Sequence, residues 1–134
     1  MPTTTEATAI AAVGGSVRFT ASVSGTINAD DLIFIPCKQM VGVTIEHLSV
    51  SVTGGTVTRI DPEYYLSDTI STANRAALPF DWGDLTPTTS FSLAGETFKD
   101  HVRTNTTTGG FYIRPKPDTN DGTALTVDVR IRVS

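Results

Sequence analysis

The sequence predicts an all-β fold: a single-domain antiparallel β-sandwich of jelly-roll character, with one short helix and an extended N-terminal arm. Three observations predict it. Residues 124–134 (ALTVDVRIRVS) alternate without a break, with Leu125, Val127, Val129, Ile131 and Val133 on one face and Thr126, Asp128, Arg130 and Arg132 on the other. About a quarter of the chain is Ser or Thr, and β-branched threonine suits a pleated surface. The apolar runs are short and separated by Gly and Pro, which is the spacing of a sandwich or jelly roll.

Residues 1–14 read as an arm and residues 15–134 as the β-domain. After Gly14-Gly15, Val17, Phe19, Ala21 and Val23 alternate with polar neighbours, a half-buried strand. Leu32-Ile33-Phe34-Ile35, stopped by Pro36, reads as a strand buried on both faces. Val41, Val43 and Ile45 are out of phase with Leu48, Val50 and Val52, so a β-bulge near Glu46-His47 is needed to keep both sets on one side. Thr53-Gly54-Gly55 then predicts a hairpin, with residues 56–60 returning. Residues 71–78 (STANRAAL) have an N-cap in Ser71 and a stop at Pro79, and predict the helix. Residues 79–84 are expected as a loop with the one tryptophan, Trp82. Strands are expected over 90–93, 98–103 and 111–114, with a turn at 118–122 before the last strand.

Composition bounds the function. Charged residues are 18% and the net charge is −4, which speaks against nucleic acid as a partner. No apolar segment approaches a membrane span, and no secretory signal is expected from the short run at residues 9–13. The single cysteine, Cys37, excludes an internal disulfide. Synthesis in a reducing cytoplasm is therefore expected, and the sequon at Asn105 is read as chance.

The search for chemistry nominates no catalytic residue, cofactor or metal. Cys37 beside an apolar strand reads as a small buried hydrophobe rather than a nucleophile. His47 and His101 read as packing or surface residues, without metal-ligand spacing. Residues 118–122 (DTNDG) approach a calcium loop, but Gly122 stands where an oxygen ligand belongs, so a turn is the better reading. Asp30, Asp31, Asp61, Glu63, Asp81, Asp84 and Glu96 are scattered, and no pair is nominated as a glycosidase dyad. The chain reads as a non-enzyme.

Candidate interface residues are the aromatics Tyr64, Tyr65 and Trp82, and the basic row Arg130 and Arg132. Core plugging and a solvated strand face are the competing readings of these two sets. In the arm, Pro2, Thr3, Thr4, Thr5, Ala9 and Ile10 are candidates for partner binding. An ordered arm needs contacts to offset its entropy, about 1–2 kcal/mol per residue. It could lie on its own domain or add a strand to a neighbour.

The arm MPTTTEATAIAAVGG, the stretch LSVSVTGGTVTRI and the terminal strand ALTVDVRIRVS together resemble, in general character, the small decoration (cement) proteins of tailed bacteriophages. The resemblance implies a structural protein on the capsid surface of a virion, made in the host cytoplasm. Its partner would be the major capsid protein or another virion subunit. It would be a homotrimer or other homo-oligomer, clamping neighbouring subunits through its arm. Deleting residues 2–14 is then expected to leave a folded domain that no longer binds. The alternative is a carbohydrate-binding or adhesion module, with Tyr64, Tyr65 and Trp82 as a stacking platform.

Overall fold

The computed structural model describes residues 3–37, 42–65, 80–81, 90–94, 100–103 and 110–133. They form eleven strands: β1 (Thr4–Glu6), β2 (Thr8–Val13), β3 (Ser16–Ile27), β4 (Leu32–Pro36), β5 (Gly42–Thr53), β6 (Glu63–Tyr65), β7 (Phe80–Asp81), β8 (Ser90–Ala94), β9 (Asp100–Arg103), β10 (Gly110–Arg114) and β11 (Gly122–Val133). No helix occurs among the described residues. The segment 71–78, expected as helical, lies outside them.

The strands make two sheets, ordered β1-β4-β10-β6-β7 and β2-β3-β11-β5-β8, with β9 continuing along β5. Apart from β1 with β4 the pairs are antiparallel, and four of them are nested. β3 pairs with β11, β4 with β10, β5 with β8 and β6 with β7. From β3 to β6 the chain changes sheet at every connection.

Both sheets turn their apolar faces into one core. Ile33, Ile35, Phe111 and Ile113 come from the first sheet; Phe19, Ile45, Leu48, Val50, Val52, Leu125, Val127, Val129 and Ile131 come from the second. Each fully buried aliphatic of this kind contributes about 1.5–3 kcal/mol before entropy is counted. Of the run in β4, Ile33 and Ile35 face this core, Leu32 is also buried, and Phe34 is only half-buried. The bulge expected near Glu46-His47 is present. Ile45 pairs with Ile131 and His47 with Arg130, leaving Glu46 as the extra residue. Ile45, Leu48, Val50 and Val52 are thereby all fully buried.

The hairpin expected over residues 48–60 does not form. β5 has β11 along one edge and β8 along the other. β11 offers β5 ten paired positions, more than residues 56–60 could, so the long-range ladder displaces the local one. Gly54 and Gly55, at φ +88° and +61°, instead carry the chain across to the other sheet. There Ile60 bridges Pro117 and Glu63 opens β6. A side chain on Gly55 would collide with the Asp121 carbonyl oxygen, so this crossing needs glycine for space as well as for φ.

Candidate interaction surface

What orders the N-terminal arm is its own domain. The Thr3 amide donates to Asp31 Oδ1 at 2.7 Å and its hydroxyl to the same oxygen at 3.3 Å. The Leu32 amide donates to the Thr3 carbonyl at 2.9 Å. Asp31 is buried, and its second oxygen accepts from the Asn28 amide at 2.8 Å. β1 then runs parallel to β4, with Thr4 beside Leu32 and Thr5 beside Ile33. At Ala7 the chain changes sheet. Its methyl is in the core and its amide donates to the Phe34 carbonyl at 2.8 Å. β2 then lies antiparallel to β3, from Thr8–Thr20 to Val13–Ser16.

One continuous segment is thus the outermost strand of both sheets. Deleting residues 2–14 would strip an edge from each sheet and empty the Ala7 slot, so the deletion alters the fold itself. Pro2 lies outside the described residues.

β2 ends its sheet, and no strand lies beyond it among the described residues. Thr8, Ala9, Ile10, Ala11 and Ala12 are exposed and uncharged. The register slips between Ala9 and Ala11, and this bulge pushes Ile10 outward to 49% exposure. Edge strands are usually blunted by lysine, proline or a bulge; β2 has only the bulge.

The outward face of the second sheet carries the basic row. Arg18 on β3 stands directly opposite Arg130 on β11. Ala11 flanks Arg18 on β2, and His47 flanks Arg130 on β5. Arg132 lies two residues further on. Two carboxylates answer the three guanidiniums. Arg18 meets Asp128 at 3.1 Å; Arg130 and Arg132 share Glu46 at 3.6 and 3.0 Å. The bulge brings Glu46 to this face. The Arg132 hydrogen bond, then that of Ser16 Oγ at 2.9 Å, holds its carboxyl below the ordinary range. The three arginine side chains are about half exposed. A shallow cavity of about 220 Å³ opens between Ala11, Ser16, Arg18 and Arg130.

Several further polar groups are committed to structure. Cys37 is buried, its thiol points to the Ile35 carbonyl at 3.6 Å, and burial pushes its pKa up to about 12. That is the opposite of an activated nucleophile. In the turn at residues 118–122, Asp118 accepts from the Thr58 amide and hydroxyl at 3.1 and 2.7 Å. Asp121 accepts from the amide and hydroxyl of Thr56 at 2.9 and 2.7 Å. Asn120 accepts from the Ala29 amide at 2.8 Å. The turn therefore ties down two crossovers between the sheets. Asp30 and Glu63 pair with Arg114 at 2.7 and 3.2 Å, and Lys116 reaches Glu63 at 3.3 Å. Among the described residues no three His, Cys, Asp or Glu side chains are grouped to hold a metal ion.

The aromatic candidates separate. Tyr64 is in the core at 6% exposure, so its ring is not open for stacking. Tyr65 stands beside Tyr112 in the register of β6 and β10. Trp82 lies outside the described residues. The structure adds a pair that the sequence reading missed: Phe34 and Tyr112, half-buried with ring centroids 4.9 Å apart. The alternation of LIFIP and GFYIR contains the signal, because each places one aromatic opposite to its isoleucines. Arg18 was also missed, since its partner in the row is more than a hundred residues away.

No family model matches the chain, and no curated protein matches it. Among solved structures, it is similar to a chain of the cyanophage Pam1 capsid asymmetric unit, with 13% identity, 95% of this chain and 92% of that one covered, and a TM-score of 0.41. It is also similar to a chain of Bacillus endospore appendages, described as disulfide-linked pili, with 12% identity, 95% and 100% covered, and a TM-score of 0.31. Both likenesses are too slight to assign the chain to either kind of assembly.

Proposed function

We propose that this chain is a jelly-roll β-sandwich that serves as a structural, non-enzymatic part of a bacteriophage virion, attached to the outside of the capsid and bridging neighbouring subunits. The nested pairing of β3 with β11, β4 with β10, β5 with β8 and β6 with β7 supports the jelly-roll winding. The observation that carries the functional reading is the edge of β2. An uncharged strand with no neighbour on one side among the described residues, and Ile10 standing out from it, is a template for strand addition by another subunit. The edge is joined along β3 to the long β3–β11–β5 ladder of its own sheet. Each such contact can be weak, because many copies on a lattice act together. The committed state of Cys37 and of the turn carboxylates supports a role without catalysis.

The test uses the full chain. Antibodies against the purified protein are expected to label the outer shell of particles from the lysate that encodes it. Ile10→Lys is expected to keep the fold and abolish incorporation, because it puts a charge on the pairing edge. Label confined to cells or to tail fibres, or normal incorporation of the Ile10→Lys protein, overturns the reading.

A second reading, a carbohydrate-binding module, is favoured by the Phe34–Tyr112 pair on the first sheet. Saturable sugar binding that Tyr112→Ala removes would move the function there.

A further inference from the structure

We propose that the outward face of β3 and β11 is a docking surface for a carboxylate-bearing segment of a neighbouring protein subunit, with one carboxylate seated between Arg18 and Arg130. This rests on the reading above only for the partner being a virion subunit; the chemistry of the face stands by itself.

The argument begins with what the fold does not need. Arg18 and Arg130 are directly opposite in an antiparallel pair, and like charges placed so are destabilising. Their carboxylate contacts do not remove the conflict. Arg130 reaches Glu46 only at 3.6 Å, and Glu46 is already held by Arg132 at 3.0 Å and by Ser16 at 2.9 Å. Half-exposed pairs of this kind add little stability. Three guanidiniums thus face two carboxylates on a chain whose net charge is −4. The positive excess is local and faces outward.

The cavity gives the excess a shape. Ala11 is small, so the space of about 220 Å³ between it, Ser16, Arg18 and Arg130 is left open. The walls of this space are mostly carbon, the Ala11 methyl and the arginine stems among them, and the Ser16 hydroxyl is committed to Glu46, so a carboxylate would be received by the Arg18 and Arg130 guanidiniums, the groups that recognise it bidentately. A nucleic-acid strand fits the face less well. Asp128 and Glu46 stand within it, and would repel a run of phosphates while leaving room for one carboxylate.

The probe is an end-capped hexapeptide with one glutamate among glycines, titrated into the labelled full-length protein and followed by NMR at backbone amides and arginine Nε–H groups. Shifts are expected at Arg18 and Arg130 and at the amides of Ala11 and Ser16. Affinity is expected to fall with added salt. Arg18→Gln/Arg130→Gln should weaken binding at least tenfold while its melting temperature stays equal to or above that of the native protein. Arg18→Lys/Arg130→Lys should fall between. Failure to bind, shifts centred elsewhere, or binding unchanged in the Gln variant overturns the proposal. So does tighter binding of a six-nucleotide thymidine strand to the same face. Failure of the virion reading would show instead as unlabelled particles, with the peptide shifts intact.

Discussion

Asp31→Ala should detach the N-terminal segment from the body, and the size of the effect follows from the contacts. The native carboxylate accepts from two amides at 2.7 and 2.8 Å and from the Thr3 hydroxyl at 3.3 Å. Hydrogen bonds to a charged acceptor contribute about 1.5–3 kcal/mol each. Thr3 is exposed, so its freed donors regain water and the sum shrinks. A loss of about 2–4 kcal/mol is expected, out of roughly 5–15 kcal/mol for a whole domain. At this chain length that lowers the melting temperature by roughly 7–14 °C. Denaturant titration gives the global figure, and hydrogen exchange gives its location. The Ala7 amide, bonded to the Phe34 carbonyl, should lose its protection while the amides of β11 keep theirs relative to the new global stability. Asp31→Asn, which retains acceptor capacity, should lose less. A change below about 0.5 kcal/mol, or an Ala7 amide that exchanges as slowly as before, would show that Asp31 does not anchor this segment.

Gly55→Ala should cost about 2 kcal/mol or more by thermal melting, since its φ is +61° and the new methyl would meet the Asp121 carbonyl. Gly25→Ala, at φ +101° with open space around it, should cost about 1 kcal/mol, and a reversed order would refute the argument. Asp118 and Asp121 both titrate below their ordinary value of 3.8, chiefly because the hydroxyls of Thr58 and Thr119 donate to them. A depressed folded-state pKa adds stability that is present above the ordinary value and is lost as pH falls through the folded one. Stability should therefore decline below about pH 4, and Asp118→Asn with Asp121→Asn should flatten that limb in acid titrations followed by circular dichroism. Cys37, with its thiol near 12 and its side chain buried, should react with a thiol reagent at pH 8 only as fast as the protein unfolds; rapid stoichiometric labelling would contradict its place in the core.

Local pattern carried much of this protein. The strict alternation of residues 125–131 is the buried row of β11, and the phase slip around Glu46 is the bulge of β5. Both are legible because side chains alternate along a strand, so a change of face leaves a mark in the chain itself. The Thr53-Gly54-Gly55 signal was legible as a turn and not as its destination. A glycine pair states that the chain bends, whereas the ladder that receives it depends on which edges are free. The arm's hydroxyl-rich composition suggested extended structure, but its anchor, Asp31, is one acidic residue among many in the sequence. The arginine face was half legible: Arg130 and Arg132 stand on one strand, and Arg18 joins them only through the register of β3 with β11.

By itself, then, the sequence determined the long alternating rows of β3, β5 and β11 and the place of the bulge. These depend on period and composition, which are properties of neighbours along the chain. Tertiary structure decided that the first strands close both sheets of their own domain, that residues 54–60 cross between sheets, and that like charges meet opposite each other on an open face. Those outcomes depend on long-range pairing, where β3 and β5 each take one edge of β11 and so leave residues 56–60 no edge of β5 to return along.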